Sequence, residues 1–205
     1  SSGNTSQTAS LTIGGASSFD TSASTGTITL TNTSNDFTGA VTLASGTGAV
    51  QIFDSATLIL ATSTTLGGNL TASADNGLTI SGDLTSTGNM TLEGDANNSS
   101  DGTDNISITS GVTLNSGGTL TMDATTGGIT AVGSAVFTAT SGITINDTLS
   151  VSTGTVTFNN AASIAGLSLT AGTIDGAGDI TVTGAMTWSG GTISGTRTLT
   201  TDTGV

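Results

Sequence analysis

The chain has 205 residues, of which 31 are glycine and none is proline, cysteine, histidine or tyrosine, and its single basic residue, Arg197, stands against 14 acidic ones for a net charge of -13. Collagen is excluded, because its triple helix needs proline beside glycine at a fixed period, and a disulfide framework or thiolate metal site is excluded with the cysteines. One cation among so many carboxylates neutralises no phosphates, so neither nucleic acid nor an anionic membrane surface is an expected partner.

Leu, Ile, Val and Phe together number 44, close to the level at which disorder becomes the default reading, so periodicity has to decide. Read in chain order, apolar residues recur as triplets centred on one hydroxyl residue, the period-two signature of a half-buried strand. Fourteen triplets occur, beginning Leu11-Thr12-Ile13, Ile28-Thr29-Leu30, Val41-Thr42-Leu43 and Leu78-Thr79-Ile80. They continue at 90–92, 106–108, 112–114, 120–122, 143–145, 149–151, 156–158, 167–169 and 180–182, and end with Met186-Thr187-Trp188. Gly, Asn, Asp and Ser fill the intervals, as turns require. No stretch holds a helical apolar stripe among good helix formers, and no apolar run approaches the ~18 residues of a membrane-spanning helix.

The spacing separates the β architectures. Triplets start only six to eight residues apart at 106, 112 and 120 and again at 143, 149 and 156, too close for sandwich strands with turns every ~8–12 residues. A solenoid with three short faces and roughly 20–24 residues per coil fits instead. Triplets at 90 and 112, 120 and 143, 143 and 167, and 156 and 180 are expected to stack. In such a coil the outer residues of each triplet face a narrow core and the central Thr or Ser faces solvent. Eight to ten coils at about 4.8 Å per step predict a rod of about 40–50 Å, and the absence of proline suits a ladder in which nearly every N–H is used. Residues 14–27, 31–40 and 93–105 break the spacing and are expected as loops, the last bulging from a corner. One domain over 1–205 is predicted. The start at Ser1, without Met or a signal segment, is expected of a processed piece of a longer product or of one subunit of a fibre.

The stretch Gly172 to Thr200, with Gly-Thr-Ile-Asp-Gly-Ala-Gly-Asp-Ile-Thr-Val followed by Met-Thr-Trp-Ser-Gly-Gly-Thr-Ile-Ser-Gly, resembles the degenerate repeats of very large bacterial surface proteins of the filamentous-haemagglutinin and autotransporter-passenger type. Weaker echoes, such as 82–92, cover most of the chain. The resemblance implies an all-β, single-stranded, right-handed parallel β-helix and a secreted, extracellular or cell-surface role. It carries over no functional residue.

An inventory for chemistry points the same way. Without His, Cys, Lys or Tyr the usual bases and nucleophile activators are missing, so no enzyme activity, catalytic residue or cofactor is expected. A carbohydrate-active β-helix enzyme using Asp175 and Asp179 as acid and base is the alternative; the ordinary reading is that both shape turns beside glycine. Asp95, Asn97, Ser99, Asp101 and Gly102 have the alternating oxygen spacing of a calcium loop, yet Ile106 stands where its bidentate Glu belongs and Ser100 where its Gly belongs, so no metal site is predicted. Outward threonines such as Thr27, Thr29 and Thr31, or Thr181 and Thr183, would serve an ice- or crystal-surface binder only if one face carried an unbroken Thr grid. The sequons at Asn4, Asn69, Asn89 and Asn146 matter only in a eukaryotic secretory pathway. The expected role is structural or adhesive, as a stiff rod or filament on or outside a bacterial cell, where scarcity of Lys and Arg spares it trypsin-type cleavage. Its expected partner is a further copy of itself, stacked head to tail and completed by a swapped strand from residues 1–13, with cell-surface carbohydrate or matrix as further contacts.

Overall fold

A chain that alternates inward apolar and outward hydroxyl residues needs a neighbour on each strand edge, and successive coils supply it. The computed structural model describes residues 3–61, 65–99, 104–125 and 127–202, in which every regular element is a strand. The first part carries β1 (Thr5–Ser6), β2 (Thr12–Ile13), β3 (Ser17–Thr21), β4 (Ile28–Leu30), β5 (Asp36–Phe37) and β6 (Val41–Ser45). The middle carries β7 (Val50–Asp54), β8 (Leu58–Leu60), β9 (Leu70–Ala74), β10 (Leu78–Ile80), β11 (Leu84–Ser86), β12 (Met90–Glu93), β13 (Ile106–Thr109), β14 (Val112–Ser116) and β15 (Leu120–Asp123). Then follow β16 (Ile129–Val132), β17 (Ala135–Ala139), β18 (Ile143–Val151), β19 (Thr155–Phe158), β20 (Ala162–Leu169), β21 (Thr173–Asp175), β22 (Ile180–Val182), β23 (Met186–Trp188), β24 (Thr192–Ile193) and β25 (Leu199–Thr201).

All pairings between these strands are parallel. The first face stacks β1, β4, β7, β9, β12, β15, the first halves of β18 and β20, then β22 and β25. A second column runs from β3 and β6 through β8, β10, β13 and β16 to the second halves of β18 and β20 and finally β23. The third face stacks β11, β14, β17, β19, β21 and β24, with Leu66 bridged to Ser86 below it. The molecule is a parallel β-solenoid of about nine turns, close to 45 Å long at about 4.8 Å per step.

Register makes the core columnar. Leu30, Ile52, Ala72, Leu92, Met122, Ile145, Ile164 and Val182 follow one another up the first face, and all are buried. Aromatic rings pack on one another between coils: Phe137 and Phe158 meet edge to face at 5.3 Å, and Phe19 and Phe37 at 5.9 Å. The outward column beside them reads Ser6, Thr29, Gln51, Thr71, Thr91, Thr121, Thr144, Ser163, Thr181 and Thr200. The expected inside-out rule therefore holds through the body of the rod. It fails at the last triplet, where Trp188 pairs with buried Leu169 but is 52% exposed, because no described strand covers it.

Glycine builds the corner that leads into the first face. Gly48 lies over Gly26, and a Cβ on it would run into the Gly26 carbonyl oxygen; a Cβ on Gly68 would approach the Gly48 carbonyl to 2.8 Å. The next residue up this corner is asparagine at three levels: Asn4 Oδ1 accepts the Thr27 N–H (3.1 Å), Asn69 Oδ1 the Asn89 N–H (2.9 Å) and Asn89 Oδ1 the Thr119 N–H (3.0 Å). Small residues are required because two backbones meet here, and asparagine follows because the next coil's N–H needs an acceptor.

Several expectations are corrected. Coil length is not a uniform 20–24 residues: Met90 to Leu120 is a step of 30, while Ile143 to Ala162, Ala162 to Ile180 and Ile180 to Leu199 are steps of 19, 18 and 19. Leu120 pairs with Ile143 as expected, but Met90 pairs with Leu70 and Leu120 instead of Val112, Ile143 with Ala162 instead of Leu167, and Val156 with Ala135 and Ile174 instead of Ile180. Neighbouring faces carry the same triplet, so spacing alone assigned it to the wrong face. Residues 14–27 and 31–40 contain β3 and β5 and are not simply loops. Within the single chain β1 pairs with β4 and β2 with β5.

Two substitutions test this packing by urea denaturation. Gly48→Ala, forcing a methyl against backbone, is expected to lower stability by about 1–3 kcal/mol, and Phe137→Ala, leaving a void beneath the third face, by about 3–5 kcal/mol.

Candidate functional site

Asp175 and Asp179, the two carboxylates singled out as an acid and base pair, are each engaged with the coil above. Asp179 occupies the same corner as Asn4, Asn69 and Asn89, and its Oδ1 accepts the Thr198 N–H at 2.7 Å. Asp175 lies at the end of β21, where its Oδ1 accepts the Ser194 hydroxyl at 2.9 Å. Hydrogen bonds from the Gly176 N–H and the Ser194 hydroxyl, with Arg197 nearby, hold the Asp175 carboxyl below the usual range. Arg197 itself donates from Nε to the Ser194 carbonyl (3.1 Å) and from Nη2 to the Gly176 carbonyl (3.1 Å). Sequence distance suggested a pair; the corners give each carboxylate a separate partner.

The same corner chemistry explains three sequons. Asn4, Asn69 and Asn89 precede a strand whose next residue faces inward and whose following residue is the outward Ser6, Thr71 or Thr91. The Asn-x-Ser/Thr pattern is therefore a product of stacking. Asn146 is bonded differently, donating from Nδ2 to Asp123 Oδ2 at 2.9 Å.

In the expected corner loop after β12, Asp95 is buried and its Oδ1 accepts the Ser99 N–H at 3.2 Å, while Asn97 Oδ1 accepts the Ser99 N–H at 2.9 Å and its hydroxyl at 2.7 Å. Ser100, Asp101 and Gly102, the rest of the calcium-like pattern, lie outside the described residues. Among the described residues no group of three or more His, Cys, Asp or Glu side chains is placed to hold a metal ion.

The threonine surface is a ladder and not a grid. Thr29 and Thr181 belong to the outward column of the first face, but Thr27 and Thr31 flank it beside non-threonine neighbours, since Gln51 stands between Ala49 and Phe53 on the coil above. The second column repeats the theme with Thr79, Ser107, Thr130, Ser150, Ser168 and Thr187. Hydroxyls thus line the first face and the second column, while the third face carries Thr113, Val136, Thr157 and Asp175.

Sequence reading missed the buried polar groups near the N-terminal end. Asn35 is fully buried; its Oδ1 accepts the Leu11 N–H (3.0 Å) and Gln7 Nε2 (2.6 Å), and its Nδ2 donates to Gln7 Oε1 (2.9 Å), the Leu30 carbonyl (3.1 Å) and the Phe53 carbonyl (3.3 Å). One side chain thus joins three coils. Asp54, also buried, accepts the Ala56 N–H at 2.9 Å and the Phe37 N–H at 3.2 Å. Burial pushes its carboxyl above the usual range against those two hydrogen bonds, and Asp36 and Asp75 add repulsion. Only the place of Asn35 and Asp54 beside inward positions signalled them. Above this network a cavity of about 350 Å³ opens at the end of the rod, lined by Thr5–Leu11, Phe19 and Leu30, with no carboxylate.

Residues 1–44, which include β1 to β5 and most of β6, match a family described as repeats of unknown function (DUF5649). No curated protein matches the chain, and no solved structure does.

The carboxylates set a pH dependence. Burial raises Asp54 and, at the start of the second half of β18, Asp147; protonation is then easier in the folded state, so stability rises as pH falls from neutral through their raised range. Asp20 and Asp175 are lowered by hydrogen bonds from Ser22 and from Gly176 and Ser194; the stability they lend is lost as pH falls through their depressed range. The melting temperature is expected to climb as pH falls from neutral toward the ordinary carboxylate range of about 4 and to fall again at more acid pH. Thermal melts across that range check it, and Asp147→Asn should flatten the upper limb.

Proposed function

We propose that this solenoid is a structural element of a secreted or cell-surface protein, a stiff rod on or outside a bacterial cell. The observation that carries the reading is the unbroken first face: ten strands in one register from Thr5 to Leu199. Each coil is bonded along its length to the next, so bending the rod means breaking a row of hydrogen bonds at once, and stability sums over neighbours. The likeness of residues 172–200 to repeats of the filamentous-haemagglutinin and autotransporter-passenger type supports an extracellular setting. Flat faces of outward hydroxyls suit adhesive contact with carbohydrate or matrix better than a cleft-bound ligand does. The carbohydrate-active alternative draws no support from Asp175 and Asp179, each held by the next coil.

Small-angle scattering on the purified chain should give a rigid rod about 45 Å long, and antibodies raised against it should label intact source cells. A compact isotropic particle, or label reached only after cell lysis, would overturn the reading.

A further inference from the structure

We propose that two copies of this chain pair side by side and antiparallel through the second column of the solenoid, with Val132 of each copy meeting its counterpart. The pairing goes beyond the rod reading and needs only the solenoid itself. Charge decides which side of the rod another copy can approach. With a net charge of -13, two copies repel wherever their carboxylates meet. The first face carries Glu93 and Asp123 side by side, with Asp179 and Asp202 at its flanks, and the third carries Asp175 on β21. The second column differs: from β8 through β10, β13, β16, β18 and β20 to β23, every outward residue is uncharged.

The centre line of this face begins with Ile59 and Thr79 and continues in hydroxyls, and its two flanking lines hold Gly, Ala, Asn, Ser and Thr with Val132 as their one large apolar residue. Val132 is 53% exposed although its strand, β16, is the fourth of the seven, so its exposure owes nothing to either end of the rod. Depletion of charge around an exposed apolar residue is the composition of an interface centre. Seven strands at about 4.8 Å and a width of five residues at about 3.3 Å make the face about 34 Å by about 17 Å. Two copies would bury about 1,100 Å², just above the ~1,000 Å² of a specific interface. A two-fold axis lying across the rod at β16 sets each line of outward residues against the same line of the partner, runs the rods antiparallel, overlaps all seven strands and brings Val132 onto its counterpart. The carboxylates that border the face, Asp75, Asp104 and Asp147, precede its first line of outward residues. They fall along one rim of the contact, where salt weakens the repulsion between copies.

Sedimentation velocity on the full chain over a range of concentrations, at low and at physiological salt, tests it. Dimers should form as concentration rises and more readily as salt is added, the reverse of a contact held by ion pairs. Val132→Asp should weaken pairing by about tenfold or more while keeping the strand circular dichroism, and Ser152→Asp, one coil on, replaces it if that variant loses its strands. Thr121→Asp, on the first face, should leave pairing unchanged. In a chain without cysteine, Val132→Cys should cross-link to its counterpart under mild oxidation and Thr121→Cys should not. Monomers at every concentration, equal cross-linking at the two positions, or pairing that survives Val132→Asp and fails in Thr121→Asp would overturn the proposal. Monomers that co-sediment with insoluble cellulose, and cease to do so in Val132→Asp, would overturn it by giving the face to a neutral polysaccharide. Monomers that scatter as rods would remove the pairing and leave the rod reading standing; compact monomers would remove both.

Discussion

The hydrogen bond between one coil and the next is the interaction on which everything else in this protein depends. It reaches beyond the strands into the corners, where the Gly118 N–H meets the Gly88 carbonyl and the Ser141 N–H the Gly118 carbonyl. With so many backbone groups in use, a residue lacking an N–H has few places to stand, which accounts for the absence of proline in 205 residues. The same bonds hold successive coils in register, and register turns each sequence position into a column.

Columns explain how a modest apolar content suffices. A thin rod has a thin interior, and each inward residue is covered from above and below by its counterparts in the adjacent coils. Alanine serves as well as leucine in such a stack where the opposite face brings bulk: Ala72 and Ala131 are as buried as Leu92 and Ile108. Where the interior must cope with polar groups, Asn35 and Asp54 take up backbone groups of neighbouring coils, so their burial serves the stacking that encloses them.

The triplets made the fold class legible. Leu78-Thr79-Ile80 and Ile180-Thr181-Val182 read as half-buried strands and are so, with outer residues buried and the centre half-exposed. What the triplets could not convey was which face each belongs to, because Val112-Thr113-Leu114 on the third face and Met90-Thr91-Leu92 on the first look alike while pairing with different columns. Strands built on alanine or on few apolar residues escaped notice altogether: Ser17-Ser18-Phe19-Asp20-Thr21 buries its last threonine where a leucine was sought. The carboxylates were harder still. Asp175 and Asp179 are four residues apart in a glycine-rich stretch, a proximity that spacing reports, whereas their partners lie 19 residues on in the next coil.

The coil from Met90 to Leu120 holds the loop after β12, yet the levels on either side pair across it without a break: Met90 with Leu120, and Leu78 with Ile106. Register is therefore kept although this coil is longer than its neighbours. At the corner that leads into the first face, Gly26, Gly48 and Gly68 press backbone on backbone and leave no room for a methyl group, whereas later coils place Ser141 and Asn160 at the same position. A step of 30 residues thus sits in the same column as steps of 18 and 19, so a coil can lengthen between β12 and β13 while the strands on either side keep their partners.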